Sequence, residues 1–105
     1  MPPVLGGDLL RSCNALLAYA KQGGEVTADA TSCAAYLKGM RDVVETAPVR
    51  KSADKPFCAD GASLDEMALA VVKHLQERAD NVRRPASGEA MAALNRAYPC
   101  TPPKK

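Results

Sequence analysis

The chain has 105 residues, with 14 Lys and Arg against 12 Asp and Glu for a formal charge of +2, which suits one domain built on one core. So mild a charge argues against a nucleic-acid partner: the dense basic groups are Arg83-Arg84 and Lys104-Lys105, and no aromatic residue interleaves with them. No uninterrupted apolar run approaches the ~20 residues of a membrane span, and a 47% hydrophobic share is that of a globular domain rather than a disordered tail.

Nineteen Ala and ten Leu, without one Ile or Trp, favour helices and starve strands. The expected fold is all-α, a compact bundle of about four helices in a single domain spanning 1–105, with its ordered part about 7–100. In the first helix Asp8 can cap, and Leu9, Leu10, Cys13, Leu16, Leu17 and Ala20 recur at helical spacing as far as Lys21. Gln22-Gly23-Gly24 ends it. The second runs from about Asp29 to Glu45, with Ala30, Cys33, Tyr36, Leu37, Met40 and Val44 on one face and Lys38, Arg41, Asp42 and Glu45 away from it. Pro48 limits its continuation. Ala47 to Ala62 reads as a loop, long enough that it must be functional or pinned, and Cys58 can pin it. Ser63-Leu64-Asp65-Glu66 is a capping box that starts the third helix, whose core stripe is Leu64, Met67, Ala68, Val71, Val72 and Leu75. Asp80 to Pro85 reads as a polar turn. The fourth helix, about Ala86 to Ala97, presents Ala90, Met91, Leu94 and Ala97 before Pro99-Cys100 closes it.

A core this small and Ala-rich needs staples. Cys13, Cys33, Cys58 and Cys100 are too widely spaced for a zinc site or a C-x-x-C redox motif. An even count in a small domain points to two structural disulfides formed in an oxidising compartment. The start, Met1 to Gly7, has neither a basic region nor an apolar one, and reads as a mature or trimmed form whose export signal has been replaced by an initiator Met.

Chemistry is sparse. The one histidine, His74, falls at the border of the third helix's apolar stripe, with no Ser or Cys nucleophile beside it in sequence. One His among scattered carboxylates makes no closed metal site. Gly6-Gly7 and Gly23-Gly24 lack the strand and Lys of a phosphate loop. No catalytic residue, metal or cofactor is expected. Leu69 lies about 140° from the centre of the third helix's stripe, among Asp65, Lys73 and Gln76, where with Val72 it can extend an apolar strip to a second subunit.

Gly7-Asp8-Leu9-Leu10 with Cys13, then Cys33 to Asp42, resembles the opening half of the type VI secretion amidase immunity proteins, the Rap/Tai family. Phe57-Cys58-Ala59-Asp60-Gly61 with the following helix resembles its middle, and Ala97-Tyr98-Pro99-Cys100 its ending. One departure is Ala59, where a Pro usually stands, which is expected to loosen the turn after Cys58. The resemblance implies a periplasmic, non-catalytic, all-α protein that occludes the groove of a secreted peptidoglycan amidase, a cysteine peptidase, and that forms a homodimer. The alternative is a periplasmic helical domain with a different envelope partner.

Three expectations follow. Cys13 pairs with Cys33 across consecutive helices, and Cys58 with Cys100 ties the long loop to the C-terminus. A homodimer uses Leu69, Val72, Lys73 and Gln76. The inhibitory element is the turn between the third and fourth helices, with Asn81, Val82, Arg83, Arg84 and Ser87 as effector-binding residues. Pro85 stiffens that turn and the two Arg offer forked donors for carboxylates. Lys51, Lys55 and Phe57 of the long loop are the second choice.

Overall fold

A computed structural model describes residues 3–47 and 55–100. Helix α1 (Gly6–Gln22) begins two residues earlier than Asp8, which occupies its third position rather than the cap. From there the Asp8 carboxylate accepts from the backbone N–H groups of Leu5 (3.0 Å) and Val4 (3.3 Å). Those two hydrogen bonds, with Arg11 nearby, hold its carboxyl below the usual Asp range. Gly23 and Gly24 end the helix at positive φ, where a Cβ is strained. Helix α2 (Ala28–Thr46) starts at Thr27, whose hydroxyl accepts from Ala30 N–H.

Helix α3 (Leu64–Glu77) opens on the expected box: Ser63 Oγ accepts from Glu66 N–H, and the Glu66 carboxylate accepts from Ser63 N–H, both at 3.1 Å. The expected polar turn after it is instead a 3-10 helix, Ala79–Arg83. Helix α4 (Ala86–Ala97) has the bounds that the sequence predicts. Among the described residues there is no strand, only an isolated antiparallel bridge between Leu5 and Pro85.

The α1–α2 hairpin is the most extensive helix pair, and α3 packs on α1 and α4 on α3. One core runs through all of them. Leu9, Cys13 and Leu16 of α1, Cys33 and Leu37 of α2, Met67, Val71 and Leu75 of α3, and Ala90 and Leu94 of α4 are all buried in it. Cys13–Cys33 joins the hairpin and Cys58–Cys100 ties the loop to the chain end, each with Cα atoms 5.0 Å apart. In the chain-entropy picture the two closures are worth about 3 and about 4 kcal/mol.

The end of the long loop is structural. Phe57 is 1% exposed and Ala59 is buried beside it. Cys58 N–H donates to the Tyr98 carbonyl (2.8 Å), Asn95 donates to the Pro56 carbonyl, and the Arg41 guanidinium donates to the Ala62 carbonyl (2.8 Å). Arg41 therefore does not simply solvate a face; it fastens this loop to α2. The turn that Ala59 was expected to loosen is closed, with Ala62 N–H donating to the Ala59 carbonyl (3.0 Å) across Gly61 at φ 81°.

Candidate functional site

The 3-10 segment is strapped to the start of the chain. Gly6 N–H donates to the Arg84 carbonyl (2.8 Å), and Ala86 N–H donates to the Val4 carbonyl (2.9 Å). Gly6 lies so close that a Cβ there would overlap the Asn81 carbonyl oxygen. Asn81 is 3% exposed, and its amide donates to the His74 carbonyl at the end of α3 (2.8 Å). Buried amides need such partners. Asn81, expected among the effector-binding residues, is thus committed inward, a correction to its expected exposure: its side chain holds the segment to α3.

The other turn residues divide by exposure. Val82 is half-buried against Gly7, while Arg83 and Arg84 are exposed. Ser87 is exposed in the first turn of α4. Burial pushes the Tyr36 phenol up, and the Ser87 hydroxyl draws it partly back. Among the described residues the ion pairs are Arg11 with Asp8 and Asp29, His74 with Glu89, and Arg96 with Glu77, which leaves Arg83 and Arg84 without one.

Of the second-choice residues, Phe57 belongs to the core because the Cys58–Cys100 tie draws its loop inward. Lys55 donates to the Glu45 carbonyl (3.0 Å), capping the end of α2. Lys51 lies outside the described residues. On the dimer strip, Leu69 is 43% exposed and Lys73 and Gln76 are exposed, but Val72 is buried in the core and offers nothing to a second subunit.

Beneath the surface, His74 Nε2 lies 3.4 Å from Glu89 Oε1, with both side chains largely buried between α3 and α4. Over them, Arg96 donates to Glu77 at 2.8 Å. That hydrogen bond, with the charges of Arg96, His74 and Arg78, holds the Glu77 carboxyl below the usual range. A cleft of about 460 Å³ follows the α3–α4 seam, with Leu69, Ala70, Ala93 and Tyr98 in its lining. All four cysteines are disulfide-bonded, so none offers a free thiol to His74. No cluster of three or more His, Cys, Asp or Glu suited to a metal ion occurs among the described residues.

Sequence reasoning missed the strap and the His74–Glu89 pair. The double glycine Gly6-Gly7 ahead of a helix was a signal of close backbone approach. The His74–Glu89 pair depends on the register of α3 against α4 and leaves no local mark.

Comparison with the curated proteins and with the solved structures gives no match. The family model of the Rap1a immunity proteins matches residues 5–100, a span that opens at the strap and closes on the second disulfide. Matched over nearly its whole length, the chain belongs to the Rap1a immunity protein family.

Proposed function

We propose that this protein is a non-catalytic inhibitor of a peptidoglycan amidase delivered by type VI secretion, acting in the periplasm, where its disulfides can form. It occludes the groove of that cysteine peptidase with the exposed face of the segment between α3 and α4. The observation that carries this reading is a cationic segment on a held backbone: Arg83 and Arg84 stand exposed, without an ion pair among the described residues, on a backbone tied by two strap hydrogen bonds and by Asn81. A pre-ordered element loses less entropy on insertion than a free loop, and Arg is favoured at binding hot spots. Val82 and Ser87 flank the two arginines. The same reading includes a homodimer formed through Leu69, Lys73 and Gln76.

The test is inhibition of the cognate amidase by the purified protein. Arg83→Ala with Arg84→Ala is expected to weaken binding by at least about 1.4 kcal/mol, or tenfold, with thermal stability nearly unchanged because both side chains are exposed. Unaltered inhibition by that variant, together with its loss in Lys51→Ala with Lys55→Ala, would move the inhibitory surface to the middle loop.

A further inference from the structure

A second cleft, of about 270 Å³, opens where the end of α3, the 3-10 segment and α4 meet. Its permanent cations are all arginines, and His74 also lies in its lining. Arg78 and Arg84 flank the five-residue 3-10 segment at its two ends, and the turn brings both to the lining of one cleft. Arg96 completes the set from α4.

The acids in the same walls are already occupied. Glu77 accepts from Arg96 at 2.8 Å, and Glu89 is buried against His74. Neither Arg78 nor Arg84 has an ion pair among the described residues, and both are exposed. Three guanidiniums against two carboxylates leave the cleft at least one positive charge in excess, before any charge on His74 is counted. The backbones that carry the two unpaired arginines are fixed on either side, since the Arg78 carbonyl accepts from Asn81 N–H (3.1 Å) and the Arg84 carbonyl from Gly6 N–H (2.8 Å).

We propose that this cleft is a receptor for an acidic side chain of the effector, with one Asp or Glu carboxylate seated between Arg78 and Arg84. The proposal rests on the reading that the chain inhibits a protein effector at this end, and it adds Arg78 as a specificity-determining residue. Contact then runs in both directions: Arg83 projects towards the partner while the cleft receives a side chain from it. Planar guanidiniums match a carboxylate through paired N–H donors, as an ammonium cannot. On a protein effector the anionic side chains that such donors can take are the carboxylates of Asp and Glu. The Glu77–Arg96 pair closes one side of the cleft and keeps Arg96 from competing for the incoming acid.

The experiment measures affinity of the intact protein for the cognate amidase between 50 and 300 mM salt. These limits bracket roughly the range over which surface charges are progressively screened. For Arg78→Gln the expected result is at least a tenfold loss of affinity at low salt and a shallower salt dependence, with an unchanged melting temperature. Arg78→Lys restores only part of the affinity. In the Arg78→Glu background, reversal of one acidic amidase residue to Lys is expected to restore binding, which a merely structural role of Arg78 would not allow. If the wild-type protein inhibits but Arg78→Gln and Arg84→Gln bind with its affinity and salt slope, the cleft proposal alone is overturned. Should the wild-type protein leave the amidase active, the proposed function itself fails. Binding of phosphatidylglycerol vesicles that Arg78→Gln abolishes, with amidase affinity intact, would assign the cleft to a lipid headgroup and likewise overturn the proposal.

Discussion

Replacing Gly6 by alanine probes the strap that fixes the candidate inhibitory segment. At a helix position Ala is ordinarily preferred over Gly, by up to about 1 kcal/mol, so without a tertiary constraint the variant would be neutral or stabilised. Here the added Cβ overlaps the Asn81 carbonyl oxygen and touches Leu75 Cδ2 at 3.0 Å. The carbonyl belongs to backbone that is itself held by the Asn81 side chain, so it cannot swing aside at little cost. Overpacking of this kind costs about 1–3 kcal/mol. Relief requires the strap to open, which sacrifices the Gly6–Arg84 and Ala86–Val4 hydrogen bonds at about 1 kcal/mol each. These costs are alternatives in part, and after the helix preference is subtracted the net loss is about 2 kcal/mol. For a domain of this size that lowers the melting temperature by about 8–16 °C. Gly7→Ala is the internal control, because its Cβ would meet only Val82 atoms at 3.4 Å and beyond, ordinary packing distances. Urea and thermal unfolding of both variants, followed by circular dichroism, provide the comparison. If Gly6→Ala is as stable as Gly7→Ala to within about 0.5 kcal/mol, the close approach at Gly6 does not hold the segment in place and the reasoning fails.

Two further outcomes follow from the packing. Leu69→Glu places a charge at the centre of the proposed dimer strip and is expected to convert a dimer to a monomer in sedimentation equilibrium; a variant that keeps the dimer mass locates the interface elsewhere. His74→Leu strands the Glu89 carboxylate in a largely buried site and is expected to cost about 3 kcal/mol in urea unfolding, whereas adding Glu89→Leu should recover most of that loss. Additive losses in that cycle would show that the pair is uncoupled.

Much of the fold can be read locally, because local rules decided it. The Ser63–Glu66 box, the glycines after α1 and the proline ahead of α4 act within a few residues, and each marks a helix end where the structure has one. The cysteine pairing followed from which helix faces and loop ends could meet. What resisted reading depends on contacts between distant parts of the chain. Asn81 between Asp80 and Val82 has the look of a turn residue turned to water, yet it is buried because Gly6, far away in sequence, lets α1 come within contact of its backbone. Phe57 has the look of an exposed anchor in a long loop, and it is buried because Cys58 and Asn95 draw that loop against α4. Val72 fell on the apolar stripe and on the edge of the proposed interface alike, and the core claimed it.

These displacements share a cause that bears on function. With Ala the commonest core residue, the helices alone offer few large side chains, so the bundle recruits its connections: Phe57 from one loop and Asn81 from the other. Recruitment removes those side chains from any partner, but it stiffens the backbone that carries their neighbours. Arg83 and Arg84 sit one and two residues beyond Val82, which is itself half-buried, and they stay exposed on a segment with little freedom left. A flexible cationic loop would bind any acidic surface weakly. In the proposed function, guanidiniums carried on a held backbone meet acidic groups over a narrower range of positions, which suits an immunity protein that must distinguish its own effector from others.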